Sequence, residues 1–109
     1  MSYEASPTPP KEGLVSVLNK WQTMNEVNVS HYNVQRSING KDFITVGKVK
    51  ANNKVLNEYR YTDYGLPLTV DGQLYYRIVG VDNDGKMIYS EVRTVDRRPL
   101  TVDRISVFP

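Results

Sequence analysis

The run from Leu74 to Ser90 constrains the fold of this chain more than any other stretch. Leu74, Tyr76, Ile78 and Gly80 share one face at period two, and Tyr75, Arg77, Val79 and Val81 share the other. Aromatic and β-branched residues fit a pleated, half-buried surface. Asp84-Gly85 then offers the positive φ angles of a two-residue hairpin turn, and Lys86 to about residue 95 reads as the returning strand. A lone hairpin is marginal in water, so other segments must cover its inner face.

Those segments are present upstream. Val15, Val17, Asn19 and Trp21 alternate with Leu14, Ser16, Leu18 and Lys20. Asn19 interrupts an apolar row, which calls for a bulge or for a bonded amide. Trp21 is the expected centre of the core. Residues 22–30 read as a polar loop and His31 to Ser37 as a strand. Ile38-Asn39-Gly40-Lys41 is the strongest hairpin-turn signal in the chain. Phe43 to Val49 follows as its partner, with Phe43 and Val46 as expected core anchors. Asn52-Asn53-Lys54 reads as a turn, and Glu58 to Asp63 as a further strand. Gly65 to Gly72 reads as a loop, broken by Pro67 and Asp71-Gly72. Residues 1–12 contain Pro7, Pro9 and Pro10, which suits a linker or an edge strand. No stretch has helical periodicity with caps. Short, evenly spaced strands with turn signals predict one antiparallel all-β sandwich or barrel.

Composition narrows the function. The 109 residues suit a single domain. Fourteen basic and twelve acidic side chains leave a net charge of only +2, and the basic residues are scattered. No nucleic-acid-binding stripe is expected. No apolar run approaches the ~20 residues of a membrane span, so no membrane insertion is expected. The first residues, Met1-Ser2-Tyr3-Glu4-Ala5, lack the charged and apolar pattern of a signal peptide, which fits an intracellular protein or a piece of a longer one. There is no cysteine, and His31 is the one histidine, which removes thiol chemistry and any histidine-rich zinc site.

Several motifs recur together in a known order: Val17 to Trp21, Asn25-Glu26-Val27-Asn28, Tyr32 to Ser37, Asn39-Gly40, Phe43, Val46 to Val49, Tyr59 to Asp63, Tyr75 to Ile78, Val81 to Lys86 and Tyr89-Ser90. In this set the chain resembles the fibronectin type III-like domains of Bacteroidetes secreted and surface proteins, over about residues 13–95. The resemblance implies an immunoglobulin-like antiparallel sandwich of about seven strands over residues 13–96, and an extracellular or cell-surface location. Such domains lie before a C-terminal sorting domain read by the type IX secretion system. Arg104 to Pro109 resembles the opening of one, which makes residues 97–109 a linker and the start of that domain, or an added edge strand. Leu74 stands where many such domains carry a corner tyrosine.

Little in the chain suggests catalysis. A Ser-His-Asp triad would hang on His31 alone, and no serine has the flanking glycines of a nucleophile elbow. Asp82-Asn83-Asp84-Gly85 echoes the start of a calcium loop, but Lys86 and a strand follow at once. Glu26 and Asp63 could serve as paired glycosidase carboxylates only at a suitable separation. Asn28-Val29-Ser30 fits a glycosylation sequon. No catalytic, metal or cofactor-binding residue is therefore expected. The sharper expectation concerns Tyr59, Tyr61, Tyr64, Tyr75 and Tyr89, too many rings for a small core. Outward-facing ones would form a platform for a glycan or a protein; otherwise they pair across strands. The sequence thus predicts a non-catalytic spacer that serves neighbouring domains, with binding of a carbohydrate or protein as the alternative.

Overall fold

The computed structural model describes residues 1–67 and 72–97. Among these residues every element is a strand: β1 (Ser2–Pro7), β2 (Leu14–Met24), β3 (Val29–Ser37), β4 (Ile44–Lys50), β5 (Leu56–Pro67), β6 (Gln73–Asp82), β7 (Met87–Tyr89) and β8 (Arg93–Asp96). All of them pair antiparallel. One sheet has the order β1-β2-β5. The second has the order β4-β3-β6-β7, with β8 also on β6. β7 lies along Val79–Val81 and β8 along Gln73–Tyr76, so the two share one edge of β6 in tandem.

The inward positions of both sheets meet in one core of Val15, Val17, Trp21, Tyr32, Val34, Tyr59, Leu74, Tyr76, Ile78 and Val95, with Tyr3 and Leu66 at its margins. The Leu74-Tyr76-Ile78-Gly80 face does point inward. Trp21 is 2% exposed. Its ring stacks on Tyr59 at 5.4 Å and meets Tyr32 edge-on at 5.9 Å. Asn19 is fully buried with its amide bonded. It accepts from the Tyr3 hydroxyl at 2.6 Å and donates to the carbonyls of Val17 and Tyr61. The register shift in β2 lies earlier, between Val15 and Val17.

Side chains also close the two flanks of the sandwich. On one flank Arg93 donates from Nε to the Tyr3 carbonyl at 3.0 Å, joining β8 to β1. On the other, the Tyr61 hydroxyl donates to the Val46 carbonyl at 2.8 Å, joining β5 to β4. That contact explains Gly47, because any Cβ there would overlap the Tyr61 ring.

The structure departs from the sequence reading at its turns. Ser2–Pro7 is an edge strand, with its proline at the end where no central ladder needs an N–H. β1 turns into β2 through Glu12 (φ 54°) and Gly13 (φ 76°), closed by reciprocal Lys11 and Leu14 backbone bonds. This is the two-residue turn with both φ angles positive that the sequence suggested elsewhere. At Asn39-Gly40 only Gly40 is left-handed, and residues 38–43 form a longer loop. The Asn39 side-chain oxygen gathers the N–H groups of Lys41 and Asp42 instead. At Asp84-Gly85 only Gly85 has positive φ, and its N–H bonds the Asp82 carbonyl, so a glycine bulge completes a three-residue loop.

Two strand assignments also change. The predicted return strand is split because Ile78 N–H bonds the Ser90 hydroxyl rather than a ladder carbonyl, which separates β7 from β8. β5 runs on through Gly65 to Pro67, where a loop was expected. Leu74 is a core residue at 1% exposure. The expected loop residues 68–71, and the expected sorting-domain opening or extra strand from residue 98 onward, lie outside the described residues.

Candidate functional site

Among the described residues two carboxylates are buried, and they sit in separate hydrogen-bond networks. Glu26, in the β2–β3 loop, is 7% exposed. Its Oε2 accepts from the hydroxyls of Thr23 and Tyr32, both at 2.5 Å. Its Oε1 accepts from the Tyr59 hydroxyl at 2.8 Å and the Asn53 N–H at 2.7 Å. Asn53 adopts positive φ, and its amide pairs with both backbone groups of Val29. Burial raises the Glu26 pKa, but these four hydrogen bonds outweigh it and hold the carboxyl below its ordinary range. Tyr59 is pushed up to about 12, first by burial and then by the carboxylate it faces. Tyr32 is raised further for the same reasons. Because Tyr32 and Tyr59 come from opposite sheets, Glu26 ties the sheets together.

Asp63 repeats the device further along the sandwich. Its Oδ2 accepts from the Tyr76 hydroxyl at 2.7 Å and from Arg36 Nη1 at 2.6 Å. Tyr59 and Asp63 lie four positions apart on one strand face, roughly 13 Å along β5. Glu26 and Asp63 share no hydrogen-bond partner and are not bonded to each other as a carboxylate pair. Asp82 to Gly85 closes the β6–β7 hairpin, with the Lys86 N–H on the Asp84 carboxylate. Among the described residues no three His, Cys, Asp or Glu side chains come together as a metal site, and no helix is long and apolar enough to cross a membrane.

The five tyrosines do not form one platform. Tyr59 is a core residue at 7% exposure, and Tyr61 points across to β4 rather than outward. These two are corrections, with a common cause: both lie on the inward face of β5, where the carboxylate and the β4 carbonyl satisfy their hydroxyls. Tyr64 lies on the outer face of the first sheet at 78% exposure. Tyr75 and Tyr89 share the outer face of the second sheet.

That second outer face carries both aromatic and basic side chains. Phe43, expected in the core, stands here instead, because the long β3–β4 loop carries it over the outside of the sheet. The Arg77 guanidinium lies 4.1 Å from the Phe43 ring centre and 4.8 Å from that of Tyr89. Its Nε donates to Gln35 Oε1 at 2.8 Å, and Gln35 bonds Thr45 in turn. Lys48 lies opposite Asn33, and Lys50 opposite His31. The Asn33 Oδ1 is buried without a partner among the described residues. Sequence reasoning missed Asn33, Gln35, Lys48, Lys50 and Arg77 as a group. The available signal was polar residues alternating with the buried Tyr32-Val34 and Tyr76-Ile78 faces.

Comparison with known proteins adds fold information. No protein-family model matches the chain, and a search of curated proteins finds no match. The fold is similar to part of a pectate lyase from Pectobacterium carotovorum, solved in two crystal forms. For the form with one monomer in the asymmetric unit the TM-score is 0.55 at 14% identity, over 99% of this chain and 29% of the lyase chain. For the form with two monomers it is 0.51 at 14% identity, over 86% and 26%. The chain thus spans between a quarter and a third of the length of those proteins.

Proposed function

We propose that this chain is a fibronectin type III-like module of a larger secreted or cell-surface protein, and that it holds neighbouring domains apart without catalysing a reaction. The observation that carries the reading is one of proportion. A fold that covers 99% of this chain makes up 29% of a larger enzyme chain. A sandwich of this kind is therefore a part that longer proteins incorporate. The division of strands sets this sandwich apart from one alternative. β4 hangs on β3 in the second sheet, whereas a constant-type immunoglobulin domain carries its fourth strand on the other sheet. The likeness of residues 13–95 to domains that precede a sorting domain supports the secreted setting.

Both buried carboxylates are taken up in linking the sheets, which suits a stiff spacer. The test is replacement in the parent protein by an unrelated sandwich of equal length. Replacement is expected to preserve the parent's secretion and activity, while deletion impairs them. Loss of activity on replacement, equal to that on deletion, overturns the spacer reading.

A further inference from the structure

We propose that the outer face of the second sheet binds an acidic polysaccharide, a carboxylated pyranose chain laid across β4, β3 and β6. This goes beyond the spacer reading and does not depend on it. The first argument is charge. Outward positions on β4, β3, β6 and β7 carry Lys48, Lys50 and Arg77 and no carboxylate. Acidic groups lie at the rim, Asp82 and Asp84 in the β6–β7 hairpin among them. Asp42 accepts from Asn39, Glu91 pairs with Arg93, and Asp96 lies at the far end of β8. Among the described residues neither lysine forms an ion pair. The outer face of the first sheet is balanced by contrast, with Glu4 and Glu58 beside Lys20 and Arg60. An anionic partner therefore meets an uncompensated field on one face only.

The second argument selects the kind of anion. Arg77 is held rigid by two rings and Gln35, so its terminal nitrogens present a pre-set fork for a carboxylate. Tyr89 is 53% exposed beside it and offers a flat apolar face against which a sugar ring packs. Between these groups and the lysines lies Asn33, opposite Lys48 on β4 and Val79 on β6. Three cations on a flat face fall short of the phosphate contacts, about six to ten, made by nucleic-acid binders. Exposed aromatic surface is a feature that charge alone does not explain.

The experiment is affinity electrophoresis of the whole chain at low salt through gels containing polygalacturonate, a neutral galactan, or polyglutamate. Polygalacturonate is expected to retard the chain, with high salt releasing it, and the other two are expected to retard it weakly or not at all. The double variant Lys48→Gln, Lys50→Gln should bind polygalacturonate about tenfold more weakly, the loss expected for charge-assisted contacts. Tyr89→Ala should weaken it with the charge intact. Lys20→Gln, on the other sheet, removes one of the two charges that the double variant removes and should leave binding unchanged. Unaltered circular dichroism in each variant excludes misfolding. No retardation by polygalacturonate overturns the proposal. So does equal retardation by polyglutamate, or equal loss on Lys20→Gln.

Discussion

At the scale of single residues, Trp21 and Glu26 bear the heaviest structural roles. Trp21 is buried between Tyr32 and Tyr59. Trp21→Ala should cost about 3–5 kcal/mol, a large share of the stability of a domain this size, read as a fall in the urea midpoint. Glu26→Gln should cost about 1–3 kcal/mol near neutrality, because one buried tyrosine hydroxyl or N–H loses its charged acceptor. Its effect has a pH signature. The folded state holds the Glu26 pKa below its unfolded value. Its stabilisation is therefore complete above the unfolded value of about 4.3 and is lost as pH falls through the folded one. The gap between parent and Glu26→Gln should narrow below about pH 4 in urea titrations at each pH. A gap independent of pH contradicts the assignment. Trp21 was legible from alternation alone. Glu26 was not, because a carboxylate in a polar loop looks like any surface residue until two sheets deliver tyrosines to it.

At the scale of elements, strands were easier to read than the turns between them. Alternation fixes which side chains face inward, as in β2, β3 and β6, since a one-residue slip would expose the whole set. Turn chemistry misled because Asn-Gly and Asp-Gly serve several loop types, while the tight two-residue turn used Glu12-Gly13. A glutamate at φ 54° is strained, so Glu12→Asn should raise stability by about 0.5–1 kcal/mol, measured by denaturation. Gly47 offers the converse case. Its lack of a side chain admits the Tyr61 ring that ties β5 to β4. Gly47→Ala should therefore destabilise by about 1–3 kcal/mol through overpacking. Phe43 shows the limit of reading by hydrophobicity. An aromatic residue next to a strand is as well used outside the sheet, over an arginine, as inside it.

At the scale of the whole molecule, the two sheets act as one body through four kinds of link: the aromatic core, the Glu26 network, the Asp63 network and the two flank contacts. A spacer needs that unity, because independent sheets would transmit no fixed distance between its neighbours. The most direct measurement is native-state hydrogen exchange across a urea series. If the sheets are locked together, the slowest amides of β2 and β5 should open with the same free energy as those of β3 and β6, equal to that of global unfolding. If the β1-β2-β5 sheet exchanges at a lower free energy while β3 and β6 stay protected, the account of a single braced sandwich is wrong.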